Sequence, residues 1–166
     1  MRRQVITLAI AILCLPIGRV GAERAGSTAL IVNVAPESRL TPRQIPLRFA
    51  ITPDATPDVP SNVSMWVRAL PGQSIHLRAA LGTFSGPVGG PAPEVRWSGS
   101  IAGATSGGQR AACNSGSFET GSSAELVSGW TQSGTLACNV VWSVANAGNL
   151  VPGVYIGAVD LALTTE

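Results

Sequence analysis

The chain has 166 residues, of which 45% are hydrophobic and only 12% charged, with 19 Gly, 12 Pro and no Lys. That is too apolar for a disordered chain, and the length suits one domain with a sizeable core. Eleven basic residues, all Arg, face nine acids without clustering, so nothing in the charge pattern supports nucleic-acid binding. The absence of Lys points to a GC-rich bacterial genome.

The first feature along the chain is a leader. Arg2 and Arg3 precede the apolar run Val5–Leu15, followed by Pro16, Gly18 and the small-residue stretch Val20-Gly21-Ala22. A basic start, a short apolar centre and a V-x-A site predict a secretory signal peptide over residues 1–22. The run is too short for a membrane-spanning helix, which needs about 20 apolar residues. Lipidation at Cys14 is the rival reading, although Leu13 stands where a lipidation site needs a small residue. Arg2, Arg3 and Arg19 leave with the leader, so the exported chain is slightly acidic and the pI of 8.7 loses its meaning. Residues 23–166 are expected to form a single β-sandwich domain.

Period-2 alternation then recurs to the end of the sequence. Thr28–Val34 places Leu30, Val32 and Val34 on one face. Ile45, Leu47, Phe49 and Ile51 alternate with Gln44, Pro46, Arg48 and Ala50. Pro46 cannot donate to a ladder, which makes this an edge strand or leaves its free side there. Thr52–Pro60 is a Pro/Asp loop. Val63, Met65, Val67 and Ala69 alternate with Ser64, Trp66 and Arg68. Pro71-Gly72 is a turn signal, and Ile75–Leu81 alternates after it, so the two runs predict a hairpin.

Gly82–Pro93 reads as a Gly/Pro loop and Val95–Ile101 as a strand. Gly103–Gly108 is a turn and Ala111–Phe118 a short strand carrying Cys113. Ala124–Trp130 is a strand with Gly129 as a bulge. In Thr135–Val144, Leu136, Cys138, Val140, Trp142 and Val144 share one face, so Cys138 points inward. Asn146–Gly153 is a turn, and Val154–Thr164 is the last and most regular strand. About eight or nine strands, turn punctuation near every ten residues and no convincing helix predict an all-β, antiparallel immunoglobulin-like β-sandwich. Cys113 and Cys138 form one disulfide if the chain is exported.

The segments Leu136-Ala137-Cys138-Asn139-Val140-Val141-Trp142, Leu150-Val151-Pro152-Gly153-Val154-Tyr155 and Val159-Asp160-Leu161-Ala162-Leu163 carry a resemblance. Together they are similar to the end of spore-coat-U and chaperone–usher pilin-like domains, which close on a leucine, a Pro/Gly turn, a Tyr and an alternating strand. The resemblance implies an extracellular structural subunit with an incomplete sandwich, whose groove accepts a strand from a periplasmic chaperone, another subunit or a second copy. The physics would be β-augmentation, with main-chain hydrogen bonds giving affinity and alternate side chains filling pockets. Tyr155, Leu161 and Leu163 on the last strand would line that groove. Glu23–Val34 is a candidate donor, or else an ordinary first strand.

Candidate chemical sites are sparse. His76, the one histidine, alternates outward with Ser74 and Arg78 and lacks a Gly-x-Ser-x-Gly nucleophile. Asp54, Asp58 and Asn62 are oxygen donors without a calcium-loop pattern. Glu94, Glu119, Glu125 and Asp160 are scattered, with Asp160 facing outward. The Gly-rich stretch Gly103–Gly108 has no Lys for a phosphate. Among the four tryptophans, Trp97 and Trp142 align with the core. Trp66 shares a face with Ser64 and Arg68, and two readings stay open. It is a surface ring that stacks on a sugar or anchors a partner, or a ring packed under a loop or the opposing sheet.

The sequence therefore predicts no catalytic residue, metal or cofactor. It predicts an exported bacterial assembly protein of periplasm or cell surface, pilin-like or coat-like, acting through strand contacts. A secreted carbohydrate- or ligand-binding module using Trp66 is the alternative.

Overall fold

The computed structural model describes residues 35–105, 107–118 and 122–166. The predicted signal peptide, Cys14, the strand at Thr28–Val34, the donor segment Glu23–Val34 and Glu119 lie outside them. Pro36–Glu166 forms a compact unit of ten strands. In chain order these are β1 Glu37–Thr41, β2 Gln44–Ile51, β3 Val59–Arg68, β4 Ile75–Leu81 and β5 Val95–Ala104. They continue as β6 Ala112–Cys113, β7 Gly116–Ser117, β8 Ser123–Trp130, β9 Gly134–Val144 and β10 Gly153–Thr165, with one 3-10 turn at Ala147–Asn149.

The strands form two antiparallel five-stranded sheets, β1-β3-β9-β5-β7 (sheet A) and β2-β10-β4-β8-β6 (sheet B). The alternation read from sequence is the burial pattern observed. In β2, Ile45, Leu47, Phe49 and Ile51 are buried while Gln44, Pro46, Arg48 and Ala50 are exposed. Each such inward side chain stabilises the fold by about 1.5–3 kcal/mol on leaving water. The core continues through Val63, Met65 and Val67 of β3 and through Leu136, Val140 and Trp142 of β9. From sheet B, Leu77, Val127 and Val159 meet them. Among the described residues no charged or polar side chain is buried.

The expected hairpin of β3 and β4 does not form. β3 pairs with β1 and β9, whereas β4 pairs with β10 and β8. Pro71-Gly72 instead carries the chain from sheet A to sheet B, so both strands turn their apolar faces to the shared core. Alternation tells which side chains face inward but not which sheet holds the strand, and two runs joined by a turn satisfy either arrangement. Two other readings change in detail. Ala111–Phe118 breaks into β6 and β7, which join different sheets. β1 was hidden because Glu37-Ser38-Arg39-Leu40-Thr41 is mostly exposed and shows no apolar alternation.

The Gly129 bulge is present. Ile75 pairs with Trp130 and Leu77 with Val127, so β8 has an extra residue there, and Gly129 takes φ +71°. Cys113 on β6 and Cys138 on β9 are bonded, with Cα atoms 6.0 Å apart, and the bridge ties sheet B to sheet A. For a sequence separation of 25, the chain-entropy model gives about 3 kcal/mol.

β10 is an interior strand of sheet B, between β2 and β4. The Tyr155 hydroxyl donates to the Val151 carbonyl at 2.9 Å, the tyrosine corner that opens strand F of an immunoglobulin-type sandwich. With β10 as F, the order β1-β3-β9-β5 is A-B-E-D, and β4 beside β10 is C. The flank that strand G takes in that arrangement is held by β2, paired with β10 from Gly153↔Ile51 to Asp160↔Gln44.

The other flank is covered by β4 and by the start of the Gly82–Pro93 segment, which is more than a loop. Gly82 N–H donates to Ala158 O, and Ser85 and Ile156 exchange both backbone hydrogen bonds at 2.8–2.9 Å. Between them Phe84 enters over Gly157, where an added Cβ would fall 2.7 Å from its ring. Phe84 supplies the apolar bulk that Gly157 lacks and packs 6.0 Å from Phe49.

Candidate functional site

The sheet edges come first, because strand addition needs an open one. Leu161 N–H donates to Arg43 O, so by antiparallel alternation Ile45, Leu47, Phe49 and Ile51 bond to β10. Gln44, Pro46, Arg48 and Ala50 turn their backbones to the free side. Pro46 therefore costs the ladder nothing and removes one donor from the exposed edge. β1 has five residues, lies between Pro36 and Pro42, and carries Glu37 and Arg39. β6 and β7 have two residues each. Short length, proline and charge are the devices by which sheets avoid pairing edge to edge.

The side chains predicted to line a groove are mostly interior. Tyr155 and Leu161 are buried and Leu163 is half-buried against the core. Their inward direction was legible. Tyr155 lies across from Phe49 of β2, and Leu161 and Leu163 across from Ala79 and Leu77 of β4, so neighbouring strands flank all three.

Trp66 is the predicted residue that the structure leaves at the surface. It is half-buried on the outer face of sheet A, across from Arg39 on β1 and Thr135 on β9. The guanidinium carbons of Arg39 and Arg68 lie 5.7 and 6.0 Å from its ring centroid. Glu37 holds both, at 3.3 Å from Arg39 and 3.1 Å from Arg68. The other three tryptophans place their indole N–H on a partner: Trp97 on Asn114 O, Trp130 on Gln132 O and Trp142 on Ser61 Oγ. Among the described residues, Trp66 N–H has none. The ring borders an open depression whose walls include Thr41, Ser64, Gly103, Thr105 and Thr135. Arg39 belongs to the strand that the pattern hid, so sequence reasoning missed it. Arg68 was visible as a face-mate of Trp66.

The other candidates do not converge. His76 Nδ1 meets Glu125 Oε1 at 2.5 Å on the outer face of sheet B, a pairing that spacing alone does not reveal. Asp160 is exposed and accepts from Gln44 Nε2 at 2.7 Å. Asp54 and Asp58 are exposed, while Asn62 donates to Asn139 Oδ1. Among the described residues no three His, Cys, Asp or Glu side chains are grouped to hold a metal, and no helix is long and apolar enough to cross a membrane.

No family model, no curated protein and no solved structure matches this chain.

Proposed function

We propose that the chain is an exported, non-enzymatic recognition protein, a self-contained β-sandwich that meets its ligand on the outer face of sheet A. The observation that carries this reading is Trp66, whose indole N–H has no partner among the described residues, set beside a depression lined by Thr41, Ser64, Thr105 and Thr135 together with apolar residues such as Ala104 and Leu136. An amphipathic ring held by flanking side chains offers apolar area and a hydrogen-bond donor at low entropic cost. The blunted edges favour contact through a face over contact by an added strand. Export is supported by the disulfide between Cys113 and Cys138 and by the leader pattern of residues 1–22. A saccharide, with apolar ring faces and hydroxyls, is the ligand class that a stacking ring beside a mixed apolar and hydroxyl-lined depression suits best.

The test is a glycan array probed with the full chain and with Trp66→Ala. Saccharide binding by the wild type, lost in the variant, is the expected outcome. A wild type that binds nothing, or a variant that binds equally, contradicts the reading.

A pilin-like or coat-like assembly role is the second reading, favoured by the outer face of sheet B. There Ile156 and Val154 are 51% and 38% exposed, beside Pro46, Ala50 and Ala158 and with Arg48 directly across from Ile156. Light scattering of the full chain distinguishes the two readings. A monomer fits the module, whereas polymers that Ile156→Arg dissolves fit assembly.

A further inference from the structure

Two guanidinium groups carry ten N–H donors between them. Glu37 engages one nitrogen of Arg39 and one of Arg68. Most of their donor capacity is therefore unspent, and the cluster holds two positive charges against one negative. The Arg39 side chain is 77% exposed and that of Arg68 46%, so both can turn to a ligand beside Trp66. Arginine forks match carboxylate and sulfate oxygens in bidentate geometry. The ligand that completes this arrangement has a ring face for the indole and an anionic group for the arginines.

Resting on the recognition reading of Trp66, we propose that the site selects acidic saccharides, with a uronate carboxylate or a sulfate ester placed between Arg39 and Arg68. The neutral part of the ligand lies over the depression at Ser64 and Thr135 and on the indole face that the guanidiniums, now over the ring, vacate as they turn to the anion. Glu37 holds the two arginines in place and sets the register of the anion, which must sit on their far side from its carboxylate.

Calorimetric titration of the full chain with a galacturonate trisaccharide, its methyl ester and a heparin tetrasaccharide tests this. The ester keeps the ring and removes the charge. The acid form is expected to bind about tenfold tighter than the ester, and Arg39→Gln or Arg68→Gln to weaken the acid about tenfold while sparing the ester. Added salt should weaken the acid alone. Arg96→Gln, on the same face but toward the other end of sheet A, should change nothing. Tighter binding of the heparin fragment than of its fully desulfated counterpart assigns sulfate as the anion, and binding that desulfation leaves unchanged assigns carboxylate. Equal binding of acid and ester, still dependent on Trp66, overturns the charge selection and leaves the recognition reading standing. So does failure of both acidic probes alongside Trp66-dependent binding of a neutral glycan. Absence of any Trp66-dependent binding overturns both.

Discussion

On the outer face of sheet B most charged side chains have a partner, Arg48 of β2 being the exception among the described residues. His76 meets Glu125, Arg78 meets Glu166 at 3.7 Å, and Asp160 takes the Gln44 amide. On the outer face of sheet A, Arg39 and Arg68 share the carboxylate of Glu37, and among the described residues the Trp66 indole N–H has no partner. The same alternation built both faces, since each is the polar half of strands whose other half is core. The difference lies in what remains unsatisfied. Groups that pair with each other are satisfied by folding, whereas surplus donors beside an aromatic ring are available to something else.

Both faces rest on a common core, and the largest effects should come from loosening it. Replacing Cys113 and Cys138 together with Ala should lower stability by about 3 kcal/mol in urea unfolding and weaken both faces alike. A loss below about 1 kcal/mol would mean that the sheets hold together without the tie. Phe84→Ala should cost about 2–4 kcal/mol, because it empties the space over Gly157 and uncovers one flank of β10. Tyr155→Phe removes the hydroxyl bond to Val151 and should cost about 1 kcal/mol.

The smallest stability effects should fall on the faces themselves, and there the comparison sharpens. His76→Ala and Trp66→Ala should each change unfolding free energy by less than about 1 kcal/mol. Only Trp66→Ala should change ligand binding. Comparable binding losses from both would mean that the outer face of sheet B is also a contact surface.

Much of the fold was legible because burial has a period of two. That period identified the inward residues of β2, β3, β4, β9 and β10, and Pro46 marked an edge because a residue without N–H cannot sit inside a ladder. Gly129 marked the bulge for a similar backbone reason. The sheet that each strand joins was not legible, since Pro71-Gly72 serves a hairpin and a crossover equally well. Phe84 was concealed by its glycine and proline neighbours, although Gly157, an apolar position without a side chain, was the vacancy it fills. At the candidate site, parity alone placed Trp66 and Arg68 on one face. Arg39 and Glu37 required pairing across strands, which no local pattern encodes.

The most direct measurement is the indole region of a nitrogen–proton correlation spectrum of the full chain, recorded free and with the galacturonate trisaccharide. Three tryptophan N–H signals should be protected from exchange and one, from Trp66, should exchange quickly and be the one that moves when the saccharide is added. A Trp66 signal protected like the others, or one that stays still while a buried tryptophan shifts, would contradict the assignment of the ligand to the outer face of sheet A.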